Sequence, residues 1–196
     1  MIRWGRLAGA YVVLAVVALA LVWSRGGSPL LHPSPRWALS PAMAHAWSLG
    51  LGLAFGIVLV LGSRFSVQRY VWARRLHSEL RPFASSLSGT GLVVLALLSS
   101  VGEELLFRSL LQPWMGLLPQ ALLFGLVHQL PGPSRWVWVS WAFVVGLVLG
   151  AMFEWTGSLL GPIAAHALVN ALNLDYLKRH DPDPARGGVG GLIGLS

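Results

Sequence analysis

Cysteine is absent from this chain of 196 residues, and acidic side chains are scarce. Without cysteine there is no disulfide framework, no thiolate nucleophile and no thiolate ligand for a metal ion. Aspartate and glutamate together number seven, and charged residues of both signs make up only 11% of the chain. Because 55% of the residues are hydrophobic, this composition predicts an integral membrane protein.

Six apolar runs are long enough to span or nearly span a bilayer, for which a helix needs about 20 residues. They are Leu7–Trp23, Ala42–Leu61, Gly91–Leu111, Leu117–Leu130, Trp136–Phe153 and Ser158–Leu177. The first run is long for a signal peptide and lacks a small-residue cleavage site, so we interpret it as a retained helix. The sequence therefore predicts an all-α fold, a polytopic membrane helical bundle of about six transmembrane helices.

Basic residues are distributed unevenly over the loops between these runs. With the N-terminus in the cytoplasm, Arg25 and Arg36 lie outside, and eleven basic residues lie inside: Arg3, Arg6, Arg64, Arg69, Arg74, Arg75, Arg81, Arg135, Lys178, Arg179 and Arg186. This bias predicts that both termini are cytoplasmic. We expect a multi-pass integral membrane protein of the bacterial inner (plasma) membrane. Because these residues lie in loops and do not interleave with stacking aromatics on a soluble face, the net charge of +7 does not indicate a nucleic-acid partner.

The chain divides into three predicted segments. We expect an N-terminal transmembrane hairpin with a basic cytoplasmic loop over residues 1–90, a helical core over 91–177 and a disordered C-terminal tail over 178–196. Within the basic loop, arginines alternate with aromatic and aliphatic residues over Ser63–Ser86. This alternation predicts an amphipathic helix that lies at the membrane surface.

Polar side chains form three clusters inside the apolar runs. The clusters are Glu103, Glu104 and Arg108, then Phe124 and His128, then His166 and Asn170. A carboxylate at membrane depth costs several kcal/mol, so an adjacent pair of them indicates a functional site.

Three of these groups are expected at a similar depth. At a rise of about 1.5 Å per residue, counted from the connecting turns, Glu103 and His128 lie roughly 18 Å from one membrane face. His166 lies roughly 15 Å from the same face. Groups from three separate runs therefore converge on one level of the bundle.

Helical spacing also predicts which side chains share a face. Glu104 and Arg108 are four residues apart and can pair, and His166 and Asn170 have the same spacing. Glu103 points about 100° away from Glu104 and is free to face a cavity.

These patterns leave other interpretations open. The pair Glu104–Arg108 can be a purely structural link, and buried glutamate and histidine side chains also suit a proton relay in a transport component. A peptide-binding membrane protein of the immunity type, without catalysis, is a further alternative. A relay would tolerate Glu103→Asp, whereas a water-activating base held in fixed geometry would not.

In order and spacing, the three clusters resemble the motifs of the CPBP family of intramembrane endopeptidases, which includes CAAX proteases and bacteriocin-processing enzymes and is also called the ABI family. The family pattern Glu-Glu-x-x-x-Arg, Phe-x-x-x-His and His-x-x-x-Asn is matched within residues 91–173. The resemblance implies hydrolysis of a peptide bond in a membrane-embedded or membrane-associated protein or peptide. A prenylated CAAX substrate, a sorting signal and a bacteriocin-type role all stay open.

The resemblance also implies a catalytic set, made up of Glu103, Glu104, Arg108, His128, His166 and Asn170. Glu103 is expected to activate water with His128 sharing the proton, and His166 and Asn170 are expected to stabilise the oxyanion. No cofactor is expected. A zinc site is the less favoured alternative, because its ligands would come from three separate helices and no His-Glu-x-x-His helix is present.

Overall fold

The computed structural model describes residues 4–182, and within this range the chain forms a bundle of seven helices. In chain order these are α1 (Trp4–Ser24), α2 (Pro41–Arg69), α3 (Val71–Ser85), α4 (Gly89–Met115), α5 (Leu117–Val127), α6 (Arg135–Thr156) and α7 (Leu160–Arg179). The prediction of an all-α membrane bundle is confirmed. The predicted C-terminal tail lies largely outside the described residues, and its first two residues belong to α7.

Four of these helices, α1, α2, α4 and α6, are long and apolar enough to cross a membrane. They correspond to four of the six predicted runs. The helix α5 is apolar but has 11 residues, which at the helical rise crosses about half of a hydrocarbon core of about 30 Å. The helix α7 has 20 residues but carries several polar side chains, namely His166, Asn170, Asn173 and Asp175. The helix α7 therefore brings polar groups into the bundle, as α4 does with Glu103, Glu104 and Arg108.

The two N-terminal helices pack against the predicted core and not against each other as a hairpin. The helix α1 packs along α4, and α2 packs along α7. The approach of α2 to α7 depends on glycine, because a Cβ on Gly52 would collide with the backbone of Gly161. The amide of Gly161 donates a hydrogen bond to Oγ of Ser48 (3.0 Å) across the same contact. Residues 4–90 and 91–177 thus share one bundle.

The basic loop predicted over Ser63–Ser86 contains a surface helix, but its first part differs from the prediction. The helix α2 continues to Arg69, because no residue before that point interrupts it. At Tyr70 the backbone becomes extended, and α3 begins at Val71. The helix α3 packs on α7 and buries three residues, Ala73, His77 and Ala84. It therefore lies across one end of the bundle.

Contacts between loops distinguish the two ends of the bundle. At one end, the amide of His32 in the α1–α2 loop donates to the carbonyl of Gly157 in the α6–α7 turn (3.0 Å). At the other end, the hydroxyl of Ser134, which precedes α6, donates to Glu79 of α3 (3.0 Å). Loops that the charge bias assigns to one side of the membrane therefore meet in the structure.

The orientation itself is a prediction that reporter fusions test. Fusions at Thr90 and Lys178 are expected to report a cytoplasmic location, and a fusion at Pro33 an exterior one, because the basic residues concentrate on the side of α3. Paired alkaline phosphatase and fluorescent protein fusions measure both outcomes. A cytoplasmic signal at Pro33 would contradict the orientation.

Candidate active site

A π-helical segment follows the adjacent glutamates in α4. This helix is α-helical over Gly89–Glu104, π-helical over Leu105–Leu111 and α-helical again over Gln112–Met115. Such segments are rare and occur frequently at functional sites. The wider turn begins directly after Glu104 and changes the direction in which the following side chains point.

Glu104 and Arg108 together link α4 to α5, α6 and α7. Oε1 of Glu104 accepts hydrogen bonds from Nη1 of Arg108 (2.9 Å) and from Nδ1 of His166 in α7 (2.8 Å). Arg108 also donates through Nη2 to the carbonyl of Gly146 in α6 (3.3 Å). Its guanidinium carbon lies 4.3 Å from the centre of the Phe124 ring in α5. The side chains of Glu104 and Arg108 are both 0% exposed, and charges buried to this degree need such partners.

The predicted pair Glu104–Arg108 is therefore present in the structure, but it has an additional partner. The contact between Glu104 and His166 was not predicted from the sequence. It holds the imidazole ring of His166 in one orientation. Because Nδ1 binds the carboxylate of Glu104, Nε2 points away from Glu104.

Glu103 faces two histidines that come from two other helices. Its Oε2 lies 3.5 Å from Nε2 of His128 and 3.9 Å from Nε2 of His166. Among residues 4–182, this buried oxygen has no hydrogen-bond partner. A buried carboxylate oxygen without a partner is costly, and this one can accept a hydrogen bond from a molecule in the cavity that Glu103 lines.

His128 lies at the end of α5 and not inside a helix. The helix ends at Val127, and Nδ1 of His128 donates to the carbonyl of Phe124 (2.6 Å), which leaves Nε2 facing Glu103. The predicted run Leu117–Leu130 is therefore helical only as far as Val127. Irregular backbone at membrane depth is tolerated where it lines a cavity or is covered by protein.

Asn170 lies one helical turn from His166 on the same helix. Its Nδ2 donates to Oγ of Ser99 in α4 (3.1 Å), and Ser99 lies one turn before Glu103. A side-chain amide carries two N–H donors, so this bond orients Asn170 and leaves one donor for a ligand.

A cavity of about 1110 Å³ opens in front of these groups. Glu103, His128, His166 and Asn170 form a polar part of its wall, and most of the remaining wall comes from apolar residues of α2, α3, α6 and α7. Glu104 and Arg108 are fully buried behind this wall. The structure therefore brings all six predicted site residues together, with four at the cavity and two supporting them.

In the described part of the chain, no group of three or more histidine, aspartate or glutamate side chains is arranged to hold a metal ion. The Nδ1 atoms of His128 and His166 already bind a backbone carbonyl and Glu104, respectively.

Tyr11 of α1 also lines the cavity, with its ring beside Gly102, and its hydroxyl interacts with the carboxylate of Glu103. The sequence prediction did not include Tyr11, because the N-terminal helices carry no motif. A signal was nevertheless present, since Tyr11 is the only hydroxyl-bearing residue in the run Leu7–Trp23.

Comparison with known proteins connects this geometry to a family. Residues 86–172 match the model of the family described as "Type II CAAX prenyl endopeptidase Rce1-like". Over 81 residues the chain is 36% identical to a Bacillus subtilis (strain 168) protein described as "Uncharacterized protein YpbD", which covers 41% of this chain and 42% of that protein. The chain thus spans less than half the length of this curated relative. No solved structure matches.

Proposed function

We propose that this protein is an intramembrane endopeptidase, because residues 86–172 match the model of the family described as "Type II CAAX prenyl endopeptidase Rce1-like". It hydrolyses a peptide bond in a membrane-embedded or membrane-associated protein or peptide. One observation supports the proposal most strongly. The buried Oε2 of Glu103, without a partner among residues 4–182, lies beside two imidazoles at the wall of a large cavity.

Glu103 is the proposed general base. A water molecule gives a proton to its carboxylate while the water oxygen attacks the carbon of the scissile carbonyl. The proton then passes to the amide nitrogen as the C–N bond breaks, which restores the carboxylate. His128 is positioned to share this proton, because its Nε2 lies 3.5 Å from Oε2 of Glu103. A positioned base of this kind contributes roughly 10²–10⁴-fold to the rate.

His166 and Asn170 are the proposed donors to the oxyanion. Glu104 accepts a hydrogen bond from Nδ1 of His166, which directs Nε2 towards Glu103, and Nε2 donates to the oxyanion when it also carries a proton. The second N–H of the Asn170 amide provides a further donor. Donors fixed in place before the reaction stabilise the developing negative charge without reorganisation. In this scheme the guanidinium of Arg108 compensates the negative charge of Glu104.

The walls of the cavity favour a substrate with an apolar segment beside the cleaved bond. Four tryptophans from α3 and α6 line part of this wall, namely Trp72, Trp136, Trp138 and Trp141. Tryptophan side chains are typical of the membrane interface, where a substrate segment would leave the bilayer. A prenylated CAAX terminus, a sorting signal and a bacteriocin-type peptide all present such a segment.

The proposed mechanism uses no metal, and chelation tests this. We expect turnover by the purified protein to stay unchanged in EDTA or 1,10-phenanthroline, because the donor atoms at the site do not form a metal-binding group. Loss of turnover with chelator, followed by recovery with added zinc, would contradict the expectation. Glu103, His128 and His166 would then have to be interpreted as ligands that activate a metal-bound water.

Comparative membrane proteomics tests the proposed function in cells. Membranes from cells with the wild-type protein and with Glu103→Ala are compared for hydrophobic peptides and precursors. We expect precursors to accumulate in the Glu103→Ala cells and to disappear when the wild-type protein is restored. Identical profiles, with both proteins present at equal levels, would favour a non-catalytic peptide-binding or proton-relay role.

A further inference from the structure

The residue Tyr11 lies outside residues 86–172, the segment that matches the family model. It comes from α1, yet it lines the same cavity as Glu103, and its hydroxyl interacts with the Glu103 carboxylate. A hydrogen bond from a hydroxyl to a carboxylate is charge-assisted and roughly twice as strong as a neutral one. This contact reaches the proposed base from α1, a helix that carries neither of the two histidines.

The fold brings Tyr11 to this position through a close approach of α1 to α4. Gly102, the residue before Glu103, has no side chain at the contact. A Cβ on Gly102 would lie 3.0 Å from the carbonyl oxygen of Tyr11 and 3.6 Å from its Cδ1. Small buried residues on the same face of α1, Ala8 and Ala18, pack in the clusters that α1 shares with α4.

The contact bears on the orientation of the Glu103 carboxylate. Two imidazoles lie near Oε2, at 3.5 and 3.9 Å, but neither forms a hydrogen bond with it. The carboxylate is buried, so a free rotation about its last bond would turn Oε2 away from the position where water reacts. A donor on the α1 side restricts that rotation, because one carboxylate can accept from several donors at once.

We propose that Tyr11 is a positioning residue for Glu103, with its hydroxyl donating to the carboxylate and holding Oε2 towards His128 and His166. The proposal rests on the proposed function, and it adds that the active site requires α1 as well as the segment that matches the family model. Tyr11 itself transfers no proton in this scheme. Its effect is on the rate of the chemical step and not on substrate binding.

The test is steady-state kinetics of Tyr11→Phe, with Tyr70→Phe as the matched control. Both variants lose one phenolic hydroxyl, but Tyr70 lies at the junction of α2 and α3, with an exposed side chain. We expect kcat of Tyr11→Phe to fall about tenfold, the effect of one hydrogen bond to a charged group, with KM unchanged. Tyr70→Phe is expected to keep both constants.

A double-mutant cycle in thermal unfolding adds a readout that does not depend on turnover. Tyr11→Phe is expected to lower the unfolding midpoint in detergent by about 2–4 °C in the wild-type background, and by much less in the Glu103→Ala background. Equal shifts in both backgrounds, or a kcat of Tyr11→Phe equal to that of Tyr70→Phe, would overturn the proposal while the proposed function stands. A wild-type protein without any peptidase activity would instead overturn the proposed function, and the role of Tyr11 in turnover with it.

Discussion

Glu103→Gln is expected to lower kcat by about 10²–10⁴-fold, the contribution of a positioned general base. The substitution keeps the shape of the side chain and its ability to form hydrogen bonds, but an amide cannot accept the proton of the attacking water. Because Glu103 carries no ion pair as close as that of Glu104 with Arg108, the variant is also expected to stay folded. Single-turnover kinetics in detergent measures the loss of the base. The unfolding midpoint, measured on the same preparation, shows whether the variant stays folded.

The matched control for this experiment is Glu154→Gln. Glu154 lies at the far end of α6, where it pairs with Arg36 in the α1–α2 loop (2.6 Å). Its substitution removes one carboxylate without touching the cavity, so turnover should be retained. Full activity in Glu103→Gln would contradict the assignment of the base, and equal losses in the two variants would indicate a general effect of charge.

Arg108→Met is expected to destabilise the protein by about 3–5 kcal/mol, the cost of leaving one partner of a buried ion pair alone. Methionine keeps much of the length of the side chain, so the loss reports the missing charge more than a missing volume. Glu104 would keep its contact with His166 (2.8 Å), but its negative charge would have no compensating guanidinium. Activity is expected to fall as well, because His166 is held through Glu104.

The control for Arg108→Met is Arg36→Met, which breaks the ion pair with Glu154. The Arg36 side chain is 64% exposed, and pairs of this kind contribute about 0–1 kcal/mol. Unfolding midpoints in detergent compare the two variants. Equal shifts would contradict the structural role of the buried pair, and an unchanged midpoint with lost turnover would place Arg108 among the residues that act on the substrate.

Residue counting was sufficient to predict that three polar groups converge. The rise of an α-helix is nearly constant, so the distances from the turns placed Glu103, His128 and His166 at one depth. In the structure, Oε2 of Glu103 lies 3.5 and 3.9 Å from the two histidines. The i,i+4 spacing likewise predicted the pair of Glu104 with Arg108, because the periodicity of a helix is a local property. The catalytic roles of these residues stay predictions.

Features that depend on tertiary packing were not predicted. The π-helical segment Leu105–Leu111 contains no proline or glycine that would mark it. The contact of His166 with Glu104 depends on how α4 and α7 are rotated about their axes, and periodicity does not fix the rotation of one helix relative to another. The end of α5 at Val127 is a further example, since the apolar run continues beyond it.

The partners of the two N-terminal helices also depend on tertiary packing and were not predicted from the sequence. Consecutive apolar runs joined by one loop suggest a hairpin, but α1 pairs with α4 and α2 with α7. Glycines at Gly52, Gly102 and Gly161 permit these contacts by removing side chains at the points of closest approach. A glycine in an apolar run indicates that a close contact is allowed, but it does not identify the partner helix. For that reason Tyr11 was not assigned to the site.

The most direct measurement is the intact mass of a peptide after incubation with the purified protein in proteoliposomes. The peptide is the one that accumulates in membranes of Glu103→Ala cells. The account predicts two products whose masses add up to that of the peptide plus one water molecule, with the wild-type protein and not with Glu103→Gln. A peptide that binds the wild-type protein but stays intact would contradict the account, as would equal product formation by Glu103→Gln.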